Sequence, residues 1–321
     1  MIAHNEDGPM SHTTAQTLTG RLRQRLNPQY TLTLLAVTAL LSAPTLAQAN
    51  TAARSNPQAA LSQAASAGKM DAVQQMLASR INPNAVDQQG RSALMWAAQS
   101  GQDRIIDQLI KAGAYVNQRD RNGTSALHLA AAKGHMRSVM RLLEAHADIN
   151  IQDNRGVTPL MLAARNRQVN TTALLTLHEA NVDLVDHTGR TALMQAAATG
   201  DLHVTSLILG AHPRVDAQDL EGMTALMIAV KEGSGRVTEA LMKAGARINA
   251  QSRTGCSPLM LAAQQGDAQL TAFLLQQGAD INVRSLKGFT PVQLASQSND
   301  QQTLNLLLAH QADQAAPKGE S

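Results

Sequence analysis

The chain carries one cysteine, Cys256, in 321 residues, so no internal disulfide can form. Aromatic residues are nearly as scarce. They make up 2% of a sequence that is 44% hydrophobic, so the apolar content is mostly Ala, Leu, Met, Val and Ile. That mixture suits many small helix–helix contacts better than one thick core built around large rings. A charge surplus is also missing. The 27 basic residues stand against 24 acidic ones, a net of +3, too little to predict a nucleic-acid partner despite a pI of 9.2. No nucleophile elbow, phosphate-binding loop or paired-carboxylate motif is present, and nothing arranges the serines and histidines into a triad. The ten histidines have no metal-site spacing and no Cys or carboxylate cluster beside them. The expectation is a protein without catalysis, cofactor or metal.

The N-terminus reads as an export signal over residues 1–49. Arg21, Arg23 and Arg25 form a positive patch, Thr31–Leu41 is apolar and uncharged, and Ala47-Gln48-Ala49 has the small-x-small pattern of a cleavage site. The apolar run is too short for a bilayer, which needs about 20 residues. The segment before Arg21 is long and polar, which makes Met10 an alternative start with the same mature protein. The expectation is cleavage after Ala49 and a periplasmic location, with no stable membrane insertion afterwards.

Past the leader the chain repeats itself. Gly90, Gly123, Gly156, Gly189, Gly222, Gly255 and Gly288 are each 33 residues apart without insertion, and each is followed by x-Ser/Thr-Ala/Pro-Leu/Val. Pro57–Gly68 fits the same register but lacks the Gly and the Thr. Each unit can be read from its residues. The Gly supplies a turn at positive φ, Thr158 an N-cap, and Pro159 a first helical position where its missing N–H costs little. Leucines and alanines follow as the packing face, and a Gly at 68, 101, 134, 200, 233 or 266 ends the short first helix. A second helix with apolar spacing, such as Ile105, Ile106, Leu109 and Ile110, then leads into an Asp/Asn-rich loop. No single unit buries its apolar face, so stacking must build the core.

This pattern resembles the ankyrin repeat, with its 33-residue period and Thr-Pro-Leu-His-x-Ala signature. The match runs through Ser125-Ala126-Leu127-His128-Leu129-Ala130, Thr158-Pro159-Leu160-Met161 and Ser257-Pro258-Leu259-Met260. The resemblance implies an all-α solenoid of about eight stacked helix-turn-helix units with loops projecting as fingers. The boundaries expected are a degenerate capping repeat at 55–89, six repeats at 90–287, a C-terminal capping repeat at 288–315 and a short tail at 316–321. It also implies a non-catalytic scaffold that binds another protein through its fingers and first helices. Some exported bacterial members are linked to oxidative-stress defence, so protection or assembly of a periplasmic enzyme belongs to the expectation.

Departures from the pattern are informative. The signature His occurs once, as His128, while Met fills that slot at 95, 161, 194, 227 and 260. A Met ladder invites a copper or antioxidant reading, and hence a metal- or small-molecule-binding protein as an alternative. Packed helices lie about 8–10 Å apart, however, too far for equivalent Mets to share an ion. Met as a flexible filler is the preferred reading. Glycine gives way to Arg167 and Asn299 after the first helix, and to His146, Glu179, His212 and Gln311 after the second. The unit 156–188 loses both and is expected to be the least regular.

At the fingertips Asp87, Asp120, Asp153, Asp186 and Asp219 keep one slot and are expected to cap the turn. Their neighbours vary, as a recognition surface would. The candidate contacts are Arg121, Asn122, Arg155, Arg190, Arg253 and Phe289, since Arg and aromatics often anchor interfaces. Trp96 is expected to replace a buried Leu, and Cys256 to be an inert substitution. A secreted effector acting on a host protein shares this surface and differs only in location. The protein is expected to be a monomer.

Overall fold

A computed structural model describes residues 57–298 and 300–315. The leader, its start and cleavage site, residues 50–56, the turn residue Asn299 and the tail 316–321 lie outside the described residues. Sixteen helices follow one another among them, with isolated bridges only at Val86–Ser92 and Arg119–Ser125. The first helices of the units are α1 (Pro57–Ser66), α3 (Ala93–Gln99), α5 (Ala126–Lys133), α7 (Pro159–Arg165), α9 (Ala192–Thr199), α11 (Ala225–Lys231), α13 (Pro258–Gln265) and α15 (Pro291–Gln297). The second helices are α2 (Met70–Ala78), α4 (Asp103–Lys111), α6 (Met136–Glu144), α8 (Val169–Leu177), α10 (Leu202–Gly210), α12 (Gly235–Lys243), α14 (Ala268–Gln276) and α16 (Gln301–Ala315).

Each first helix from α3 to α15 packs on the first helices beside it, and the second helices stack likewise from α2 to α12. The first helices are short because the Ser/Thr cap opens them and a turn closes them seven or eight residues later. Their buried faces are mostly small: Ala97, Ala98, Ala130, Ala163, Ala196, Ala229 and Ala262 are each 0% exposed, which lets neighbouring backbones approach closely. One continuous core results, running from Leu61 to Leu307.

Two hydrogen-bond series run along the stack and join each unit to the next. At the finger tips, backbone N–H groups of Arg121, Asn154, His187, Leu220, Arg253 and Leu286 donate to carbonyls of the preceding finger at 2.8–3.0 Å. At the far end, Asn84, Asn117, Asn150, Asp183, Asp216 and Asn249 each accept a backbone N–H 31 residues on, as in Tyr115 N to Asn84 Oδ1 at 2.6 Å and Asp280 N to Asn249 Oδ1 at 2.9 Å. The second series explains the Asp/Asn-rich loop chemistry as coupling between units.

The unit 156–188 is not irregular in its path. Its helices keep the register of their neighbours, and Arg167 and Glu179 adopt φ of 57° and 60°, as a glycine would. His146 and His212 do the same, as does Arg80 in the first unit, whose slot sequence reading passed over. Gln311 does not turn: α16 runs through it to Ala315. The departure at 156–188 is therefore stored backbone strain. A non-Gly residue at positive φ costs about 1–2 kcal/mol, and the entropy that glycine loses on folding offsets about half of the gain from replacing it. Glu179 is exposed and its side chain holds no hydrogen bond or ion pair among the described residues. Glu179→Gly is expected to stabilise the protein by about 0.5–1 kcal/mol in urea unfolding and to slow amide exchange in 169–188. A decrease in stability would show that the side chain contributes more than the backbone strain takes away.

Candidate protein-binding surface

The fingers are rigid because each has its own internal lock. Asp120 Oδ1 accepts the backbone N–H groups of Asn122 and Thr124, both at 2.9 Å, and Asp87, Asp153, Asp186 and Asp219 repeat this in their fingers. Ser252 makes a weaker version with Thr254 and Cys256 at 3.3 and 3.2 Å. Burial works to raise the pKa of Asp87 and Asp153, but the backbone donors outweigh it and hold both carboxyls below their usual range. The expected capping role of these aspartates is what the geometry shows.

Outer oxygens of the same aspartates organise the arginines. Arg155 Nη2 lies 3.1 Å from Asp153 Oδ2, and Arg91 and Arg190 each reach the buried carboxylate of the next finger, Asp120 and Asp219, at 3.4 Å. Arg121, Asn122, Arg155 and Arg253 are exposed, Arg190 is half-buried and Phe289 lies on the last finger, 36% exposed. Of these six candidates, Arg155 and Arg190 line one pocket, and the others are spread along the row. Sequence reasoning passed over two large apolar tips in that row, Leu220 at 56% and Leu286 at 81% exposure.

Trp96 is not a buried Leu substitute. It is half-buried, its Nε1 donates to Asp87 Oδ2 at 3.0 Å, and the Arg91 guanidinium lies over its ring at 5.2 Å. The buried Leu of that helix is Leu94. The Trp96 slot, one period apart, holds Leu129, Leu162, Gln195, Ile228, Leu261 and Leu294, all but Ile228 and Leu294 partly exposed. These side chains form a half-open row beside the fingers, apolar except at Gln195. A search at 33-residue steps would have found the row, but burial, not residue type, identifies it as a surface.

The signature slot is closed instead. Met95, Met161, Met194, Met227 and Met260 are 0–1% exposed, and His128 is 0% exposed. All six keep the cap bond from their own N–H to the Ser or Thr hydroxyl at 3.2–3.4 Å. His128 adds contacts that Met does not reproduce: Nδ1 takes the Ser125 N–H at 3.2 Å and Nε2 reaches the Val157 carbonyl of the next unit at 2.9 Å. The Met161 sulfur makes only a long contact, 3.5 Å from the Thr158 N–H. Cys256 is half-buried, in the position after the finger Gly.

Comparison with known proteins agrees with this architecture. The family model described as "Ankyrin repeats (3 copies)" matches residues 33–120, 105–186, 170–252 and 226–317. The crystal structure of the human ASB11 ankyrin repeat domain is similar, with a TM-score of 0.63 and 25% sequence identity over 68% of this chain and 98% of that one. No curated protein matches the chain in sequence. Ankyrin repeats generally mediate protein–protein interaction and are typically non-catalytic. Overlapping family matches across most of its length, on a stack whose period, caps and fingers all follow the same rule, make this chain a member of the ankyrin-repeat family.

Proposed function

We propose that this protein is an exported, non-catalytic scaffold that holds a protein partner along its fingertips and the half-open row of its first helices. The finger ladder is the observation that carries the reading. Varied, exposed tips mounted on a backbone ladder present a binding face that is already ordered, which lowers the entropy lost on association. Leu220, Leu286 and Phe289 offer apolar anchors, and Arg121, Arg155 and Arg253 offer charge between them. The leader composition supports a periplasmic site of action, where protection or assembly of an enzyme is the role we favour. Among the described residues, no helix is long and apolar enough to cross a membrane.

A photo-crosslinking amino acid placed at Arg121, Asn122, Leu220 or Phe289, and in parallel at Leu177 on a second helix, tests the reading in cells. Crosslinks to one protein species from the finger positions and none from Leu177 are expected. Equal crosslinking from both faces would overturn the assignment of the surface. Fractionation and N-terminal sequencing of the mature protein test export. An N-terminus at Asn50 in the periplasmic fraction is expected, and delivery outside the cell would favour a secreted effector instead.

A further inference from the structure

A pocket of about 690 Å³ opens between the units that begin at Gly156 and Gly189. Four arginines line it, against one acidic residue, Asp186. Arg155 and Arg190 stand at its finger end. Arg165, the last residue of α7, and Arg167, in the turn that follows, stand at the other end. Asp186 is already occupied: its Oδ1 takes the N–H groups of Thr188 and Arg190 at 2.8 and 3.0 Å, and its Oδ2 takes Gln195 Nε2 at 3.3 Å. At the finger end, Arg155 and Arg190 each keep an aspartate partner outside the lining, Asp153 and Asp219. At the turn end no counter-charge lies among the described residues that line the pocket. Arg167 Nη2 is held at 2.5 Å by a neutral acceptor, the Thr199 carbonyl, and the Arg165 side chain has no hydrogen-bond or ion-pair partner among the described residues.

A second observation points to the same end of the pocket. The turn after the first helix is made by glycine at 68, 101, 134, 200, 233 and 266, and by Arg167, at φ 57°, only here among the described units. The substitution puts a cation at that rim, where the neighbouring units have Gly134 and Gly200.

We propose that this pocket binds an extended acidic segment of a protein partner, with two carboxylates two or four residues apart so that both face the pocket. The spacing follows from the pocket floor. Helix α9 separates the two cationic ends, and its eight residues span about 12 Å at 1.5 Å each. An extended peptide advances about 3.3 Å per residue, so three or four residues cover that distance, and the reach of the arginine side chains shortens it. A guanidinium presents a planar fork that matches a carboxylate. A single phosphate fits the arrangement less well, since one compact dianion cannot meet both ends. The neighbouring N-terminus of α9 is also already capped, by Thr191 Oγ1 at 3.3 Å from Met194 N.

The inference rests on the scaffold reading and names part of its partner. It is tested with the full chain and a fluorescent peptide carrying Glu-Ala-Ala-Ala-Glu in a Gly/Ser background, read by anisotropy. The Glu peptide is expected to bind and its Gln counterpart to bind at least about tenfold more weakly, since charged hydrogen bonds are the stronger ones. Arg165→Gln with Arg167→Gly is expected to weaken the Glu peptide by about tenfold or more, while Arg137→Gln with Arg236→Gln, exposed on second helices and outside both the pocket and the fingers, changes it less than about twofold. The double variant is expected to fold, because glycine suits the backbone at 167 and Arg165 is exposed. Its unfolding midpoint checks this. Unchanged peptide binding in the double variant, equal binding of the Gln peptide, or preferential binding of inorganic phosphate or a phosphoserine peptide would each overturn the proposal. Any of these results with finger crosslinks intact removes the pocket and leaves the scaffold reading standing. Loss of the finger crosslinks overturns the scaffold reading itself.

Discussion

Gly222→Ala is expected to destabilise the protein by about 2–4 kcal/mol, whereas Gly245→Ala is expected to cost only about 1 kcal/mol. Both glycines sit at positive φ, 75° and 88°, so both substitutions meet the same left-handed penalty. They differ in what the new methyl group touches. At Gly222 a Cβ would lie 2.6 Å from the backbone nitrogen of Arg253, whereas at Gly245 nothing lies within 4 Å. Arg253 N is the donor that ties its finger to the Glu221 carbonyl at 2.9 Å. The methyl group therefore forces apart the ladder between two fingers, an overpacking cost of about 1–3 kcal/mol added to the backbone term. Gly255 faces the same constraint, with Leu286 N at 2.7 Å. Urea unfolding followed by circular dichroism measures the difference. Because stability in a repeat protein is carried by neighbour-to-neighbour terms, Gly222→Ala is also expected to broaden the transition as the units 189–221 and 222–254 uncouple. Equal losses for the two variants would mean that the ladder contributes nothing beyond the backbone conformation.

This contrast explains why one glycine series is unbroken and another is not. The finger Gly occurs in all seven units from 90 to 288, and at six of them a Cβ would meet another finger. Gly288 has no such neighbour and only the conformational reason to remain. After the second helix, Gly113, Gly245 and Gly278 face open space, and Arg80, His146, Glu179 and His212 replace glycine in that slot at the conformational cost alone. The strict period, the helix bounds and the capping aspartates were legible because each rests on local chemistry: a turn, a hydroxyl cap, an Asx lock. The coupling asparagines at 84, 117 and 150 were visible as composition but not as bonds, since their partners lie 31 residues away.

The candidate site was legible only in part, for the same reason. Arg155 and Arg190 stood out as variable finger residues. Arg165 and Arg167 did not, because in the chain they look like a helix end and a damaged turn. Stacking brings the two pairs to opposite ends of one pocket, and only that placement makes the lost glycine at 167 read as a positioned cation. Trp96 was misread by similar logic. Within its helix it occupies an apolar-looking position, yet the neighbouring finger supplies Asp87 and Arg91 around it and leaves its ring half-open.

Lowering the pH from 7 to 5 is expected to weaken the folded protein, and His128→Met is expected to remove most of that dependence. His128 is buried beneath the cap of α5. Its Nδ1 accepts from the Ser125 N–H, which leaves the ring proton on Nε2 to donate to the Val157 carbonyl. A second proton would have to sit on Nδ1, between that N–H and the Ser125 hydroxyl at 2.9 Å, in a fully buried site. Burial accordingly pushes the imidazole below its ordinary value of 6.5, and the hydrogen bond to Val157 and the charge of Asp153 offset this only in part. Between the folded and unfolded pKa values the unfolded chain binds more protons. Stability from the neutral ring is therefore complete above 6.5 and declines as pH falls from there to the folded pKa, with a slope of at most about 1.4 kcal/mol per pH unit. The carboxyls of Asp87 and Asp153 are shifted the other way, below 3.8, so their contribution is lost only in more acidic solution and does not overlap this window. Met already fills the same slot in five units with the cap bond intact. His128→Met is thus expected to cost about 1 kcal/mol at neutral pH, for the hydrogen bond to Val157, and to flatten the profile between pH 7 and 5. Urea midpoints for both proteins across that range measure it, and parallel profiles would assign the acid sensitivity to groups other than His128. A scaffold with Met in this slot throughout would hold its fingers in register without a buried proton switch, and the single histidine confines that sensitivity to the contact between the units 123–155 and 156–188.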